Sequence, residues 1–169
     1  MLSNRIKIKP IPNSAMQIPK KHVFFYRGYA FFVRKALRKP LFQRFLRWLL
    51  KREKIDKRLI RGIQIKVIPF RKKNGNSLAG RRSRHGNILI FPKSFEFYRE
   101  LVTRHGSEIA RLYVKGRAWA TLIHEILHAK YSSDEERVRR LTERYFKVYV
   151  RNPKTEDFDD VIFEILFKQ

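Results

Sequence analysis

The sequence predicts a helix-rich α+β domain with a small antiparallel sheet or hairpin, and three observations carry that expectation. Most of the chain beyond residue 22 sets apolar side chains at helical spacing, only two short stretches alternate apolar and polar residues, and 169 residues supply one sizeable core rather than two. Residues 1–21, with Pro10, Pro12 and Pro19 among scattered lysines, favour an extended basic arm. Residues 22–169 then form a single domain, of which 22–62 is a basic helical part and 63–169 the core.

In chain order, His22 to Lys39 interleaves Val23, Phe24, Tyr26, Phe31, Val33 and Leu37 with Arg27, Arg34, Lys35 and Arg38, which predicts a helix. Pro40 opens a second helix over 40–52, with Leu41, Phe42, Phe45, Leu46, Leu49 and Leu50 at helical spacing. After Gly62 the apolar residues Ile63, Ile65 and Val67 alternate with Gln64 and Lys66, which reads as a strand, and Asn87 to Phe91 reads as another. The basic stretch between them, 71–86, carries Asn74-Gly75 and Gly80 as turn signals and is expected to be the loop of a hairpin. Ser94 to Arg104 is a short helix stopped by Gly106, and Ser107 caps a further helical stretch that Gly116 interrupts. From Arg117 the pattern runs to Tyr131, Ser133 and Glu136 form a capping box for a helix over 134–150, and Thr155 caps a last acidic-to-apolar segment.

Composition narrows the function classes. Forty Lys and Arg against fifteen Asp and Glu leave a formal charge of +25, and such an excess calls for an anionic partner. Eighteen of those cations precede residue 63, where only Glu53 and Asp56 oppose them. Arg44, Arg47, Lys51 and Arg52 on the second helix, and Arg71, Lys72, Lys73, Arg81, Arg82 and Arg84 in the 71–86 loop, are the candidate nucleic-acid contacts. An anionic membrane surface is the weaker alternative, because the 71–86 loop holds no aromatic side chain to insert. With no cysteine, disulfides, thiolate metal sites and cysteine nucleophiles are excluded. The start of the chain has no secretory pattern, so a soluble, cytoplasmic protein is expected. Abundant Lys and Arg with few Met follow a compositional tendency of thermophile proteins.

The sharpest pattern is His124-Glu125-Ile126-Leu127-His128. Four residues are a little over one helical turn, so both imidazoles leave the same face and can grip one metal ion, with Glu125 beside them to take a proton from a water. This is the HExxH motif, and Leu122, Ile123, Ile126, Leu127 and Ala129 place it on a buried helix. A catalytic zinc ion needs a third protein ligand, and Asp134, Glu135 and Glu136 follow within reach. Helix phase sets Glu136 on the far side and puts Asp134 in the buried stripe, while Glu135 has the longer reach. Glu135 is preferred, with Asp134 the close second choice.

The block from Leu122 to Phe146, LIHEILHAKYSSDEERVRRLTERYF, resembles small zincin metallopeptidases of the gluzincin kind, most of all minimal archaeal and archaeal-virus forms. The resemblance implies a zincin-like domain with an active-site helix, one Zn2+ ion, His124 and His128 as ligands, Glu125 as the catalytic carboxylate and a Glu as third ligand. It implies a zinc-dependent endopeptidase acting on a protein or peptide substrate, with a strand near 63–70 or 87–91 as the edge that pairs with that substrate. The other reading is a basic nucleic-acid-binding protein whose zincin core is structural or vestigial.

Overall fold

The computed structural model describes residues 2–10, 18–71, 77–156 and 158–167, with the side chains of 71 and 77 left aside. Five helices, α1 (Lys20–Leu37), α2 (Pro40–Arg52), α3 (Phe95–Tyr131), α4 (Glu135–Val150) and α5 (Asp160–Phe167), surround a small mixed sheet. The sheet holds β1 (Ile6–Ile8), β2 (Gly62–Ile65), β6 (Asn87–Ile90) and β5 (Gly80–Arg82) in that spatial order, and β3 (Phe70–Arg71) with β4 (Ser77–Leu78) makes a separate two-stranded ribbon. The class is therefore the expected helix-rich α+β.

The strand pairing departs from the expected hairpin. β2 and β6 run parallel, Ile63 beside Ile88 and Ile65 beside Ile90, because the chain between them leaves the sheet and returns as β5, antiparallel to β6. The stretch 71–86 is thus not one loop: it contributes β4, β5 and a tight turn at Gly86, whose φ of 78° and closeness to the Leu59 carbonyl require glycine. The first residues are extended only at Ile6–Ile8, and there they are a sheet strand, parallel to β2. Leu2 and Ile6 are buried, Arg38 donates to the Ile6 carbonyl at 3.1 Å, and Arg5 donates to the carbonyls of Lys57 and Ile60. Positions 11–17 of the predicted arm lie outside the described residues.

α3 is the spine. Ser94 caps it by accepting from the Phe97 amide, and Gly106, at φ 84° and ψ 165°, bends it where a stop is expected. Beyond the bend, residues 113–119 are buried without a break, and the Trp119 indole donates to the Ala36 carbonyl of α1 at 3.2 Å. Gly116 does not interrupt the helix. Its lack of a side chain admits Phe158 and Leu166 from the C-terminal segment, where a Cβ would stand 2.8 and 2.9 Å from them. Glu156 on that segment accepts from Lys39 and Lys115, each at 2.6 Å.

α2 and α4 are tied to the end of α3 by one carboxylate. Glu53, 7% exposed just past α2, accepts from Tyr131 at 2.6 Å, from Lys130 at 3.1 Å and from Tyr145 of α4. Burial alone raises this acid, but the three donors and the Lys130 charge outweigh it and hold it below the ordinary 4.5. Its stabilising effect is then fully present above pH 4.5 and fades as the pH falls through the depressed folded value. Glu53→Gln should cost about 2 kcal/mol at pH 7, since hydrogen bonds to a charged acceptor are worth roughly 1.5–3. Urea unfolding of both proteins at pH 7 and near pH 3 should show that difference shrinking at the acid end.

Candidate metal centre

The motif sits on the buried C-terminal leg of α3, and its two histidines converge with a carboxylate from α4. His124 Nε2 and His128 Nε2 are 3.0 Å apart, Glu135 Oε1 is 3.4 Å from the first and Glu135 Oε2 is 3.2 Å from the second. Ligands about 2.05 Å from a tetrahedral centre stand about 3.3 Å from one another, so this spacing fits one small cation. Among the described residues, this trio is the group of His and acidic side chains that could hold a metal ion.

Proton placement makes the fit chemical as well as geometric. His128 Nδ1 lies 2.6 Å from the Ser132 carbonyl, which can only accept, so the proton is on Nδ1 and Nε2 carries a bare lone pair. Thr142 gives its hydroxyl proton to the Val138 carbonyl at 2.7 Å and is left to accept from His124 Nδ1 at 3.4 Å, which bares the second Nε2. Burial holds His124 below its usual range, assisted by His128 and Arg139 and opposed by Glu135, and so favours the neutral ligand form. Neither Thr142 nor Ser132 was visible as a site residue in the sequence; a Thr seven residues after the third ligand is the only signal it leaves.

The turn of residues 132–134 decides the third ligand. Ser132 takes φ 50° and ψ −106°, and Asp134 caps α4 by accepting from the Arg137 amide at 3.1 Å. The expected capping box of Ser133 and Glu136 is replaced by this cap, one residue later. Asp134 is thereby engaged with main chain, and Glu135, first residue of the helix, is the carboxylate that meets the imidazoles.

Glu125 lies beside them, under β5. A Cβ on Gly80 would stand 2.9 Å from Glu125 Oε1 and 2.5 Å from Thr121, so only glycine lets the strand lie this close. Burial raises the Glu125 carboxyl to about 7, against the pull of His128 and of the Arg82 main-chain N–H that it accepts from. Leu78, Gly80, Arg81 and Arg82 face His124, Glu125, His128 and Glu135 across a cleft of about 450 Å³.

The predicted basic contacts separate. Arg44, Arg47, Lys51 and Arg52 are exposed on α2, away from the cleft; Arg81 and Arg82 rim it, and Arg84 is exposed in the following turn. Lys72 and Lys73 lie outside the described residues, as does the side chain of Arg71. No helix among the described residues is long and apolar enough to cross a membrane. Comparison of the chain with protein-family models, curated proteins and solved structures gave no match in any of the three.

The assignment of ligands separates two variants. If the trio holds a divalent cation such as zinc, Glu135→Ala should lower its affinity about tenfold or more with folding intact, whereas Asp134→Ala should leave that affinity and lose about 1 kcal/mol of stability, the usual cost of a lost N-cap. Competition with a chromogenic chelator and thermal melts read the two effects independently.

Proposed function

We propose that this chain is a zinc-dependent metallopeptidase with a zincin-like active site. The observation that carries the reading is Glu125: a buried carboxylate on the same helix turn as two bare imidazole nitrogens, opening with them into one cleft. His124, His128 and Glu135 would hold the zinc ion, which supplies a Lewis acid that acidifies a water and polarises a peptide carbonyl. Glu125 accepts the proton that the water releases as its oxygen bonds to the carbonyl carbon. It returns that proton to the amine nitrogen as the C–N bond breaks, leaving a carboxylic acid and an amine. Its raised pKa suits the second half of this exchange, and a cation beside it lowers it toward the ionised form that the first half needs.

The substrate edge is β5 rather than the strands at 63–70 or 87–91, because β2 and β6 lie inside the sheet and β5 at its rim. Phe91 donates to the Ala79 carbonyl and Ser83 to that of Asn87, so the alternate residue Gly80 turns its main-chain groups away from β6. An extended peptide laid along that rim pairs with Gly80 and passes over Glu125.

A specific surface favours a second reading, that the enzyme works on or near nucleic acid. Trp48, 40% exposed, packs edge-on against Tyr145 of α4 at 5.8 Å with Arg52 over its ring at 5.4 Å. Around it α2 exposes Arg44, Arg47 and Lys51, and α4 exposes Arg144 and Val148. Cations flanking an open aromatic ring suit a phosphate backbone with stacked bases.

Glu125→Gln should retain zinc and lose cleavage of an unfolded protein such as reduced casein by about 10³-fold or more, given what a general base contributes at this position. Full cleavage by that variant would overturn the peptidase reading. For the surface, binding of a labelled single-stranded oligonucleotide should weaken by about 10³-fold between 50 and 200 mM salt if about six phosphates are neutralised. Trp48→Ala should cost about 1–3 kcal/mol of that binding. An oligonucleotide that stays free at 50 mM salt rules the surface out, and flotation with anionic vesicles instead would reassign it to a membrane.

A further inference from the structure

Two cations without a counter-ion among the described residues, Arg117 buried and Lys93 half-buried, line a cavity that adjoins the cleft and shares Gly80, His124 and Glu125 with it. Arg117, 6% exposed, lies two helical turns before Glu125 on α3, with Thr121 between them on the same face. Its Nη1 donates to the Phe91 carbonyl at 2.6 Å, while its buried Nη2 has no hydrogen-bond partner. Lys93, held over the Phe97 ring at 4.6 Å, is close enough to feel the Arg117 charge, which adds to burial in lowering its pKa. Neither forms an ion pair among the described residues, although the buried Lys115 does so with Glu156. Both line a cavity of about 740 Å³ that also contains Gly80, Thr121, His124 and Glu125.

A buried guanidinium and a half-buried ammonium that repel each other cost stability in the folded chain. A fork of N–H donors is the group that recognises a carboxylate, and Arg117 Nη2, sealed beside this space, has no hydrogen-bond partner among the described residues. The eight helical steps from Arg117 to Glu125 span about 12 Å, the length of roughly three to four residues of extended peptide. The rim strand follows the same course, with Gly80 over Thr121 and Glu125 and Ala79 joined to Phe91, whose carbonyl anchors Arg117.

We propose that Arg117 and Lys93 form a carboxylate-binding subsite of the peptide cleft, so that substrates carrying a carboxylate within about four residues of the scissile bond are selected. The inference rests on the peptidase reading for the word substrate, but the subsite itself is a property of the cleft. Its carboxylate can come from an Asp or Glu side chain or from the C-terminus of the substrate, and these sources are separable.

The probes are fluorescent alanine octapeptides with one Glu moved along the chain, each made with a free and with an amidated C-terminus. Anisotropy is read on the zinc-loaded Glu125→Gln protein, in which cleavage does not intervene. One Glu position, or the free C-terminus, should bind about tenfold or more tighter than the all-alanine amide, as a charge-assisted hydrogen bond provides. Lys93→Gln in that background should erase the preference and leave binding of the all-alanine amide unchanged; Arg117→Gln should do the same where it folds. Equal binding of all peptides within twofold, or a preference untouched by Lys93→Gln, overturns the subsite. Cleavage of the whole series at one rate by the parent protein would also overturn it while upholding the peptidase. A carboxylate preference that Lys93→Gln abolishes, in a parent protein that cleaves none of the peptides, would uphold the subsite and refute the peptidase.

Discussion

Three lone-pair-bearing groups, two imidazole nitrogens and a carboxylate, with contacts of 3.0–3.4 Å are an unfavourable arrangement unless a cation sits among them, and much of this fold is what keeps them there. One helix provides two of them without effort, since residues four apart share a face. The third cannot come from the same helix and has to be returned to it by the chain within seven residues. That demands a reversal too short for an ordinary loop. Ser132 meets it with a left-handed φ, a conformation that costs a non-glycine residue about 1–3 kcal/mol. The same residue turns its carbonyl to His128 Nδ1, so the strain that brings Glu135 back also fixes which nitrogen of His128 faces the metal position. Glu53 holds the two helices on either side of this turn through Tyr131 and Tyr145, 78 and 92 residues away in sequence.

The carboxylate that would do the chemistry is controlled from the sheet. Gly80 lets β5 descend onto Glu125, and the Arg82 amide then reaches its oxygen. A larger residue at 80 would lift the strand, admit water and separate the rim from the cleft floor. The strand is therefore both the lid that desolvates Glu125 and the edge on which an extended chain can lie, two roles that depend on one missing Cβ.

Helices were legible in this sequence because their apolar spacing is local and strong, and Pro40, Ser94 and Gly106 act at the positions where they stand. The HExxH pair was legible for the same reason. β5 was not, because Gly80-Arg81-Arg82 has no apolar alternation: its inward position is a glycine that makes room instead of a side chain that fills it. The parallel pairing of β2 with β6 was hidden too, since two strands joined by a basic stretch look alike whether the chain turns once or twice between them. β1 was concealed among prolines and lysines, with only Ile6 and Ile8 to mark it. Glu135 over Asp134 turned on a cap displaced by a single residue, which local rules leave open because Ser133 and Asp134 are equally good caps.

The charge of +25 resolves into two populations with different physics. Arginines on the open faces of α2 and α4 keep their water, cost the fold little beyond mutual repulsion, and act on a partner through a field that salt screens within about 8–10 Å. Arg117 has given up most of its water and Lys93 part of its own without gaining an anion, and no general need for solubility or surface potential accounts for cations in that position. A desolvated charge interacts more strongly with whatever reaches it, and screening hardly touches it. The surface population acts through a long-range field, while Arg117, two turns from Glu125 on the same helix, and Lys93 near it would act at short range on what enters the cleft. Composition reports only their sum, and it is burial that tells them apart.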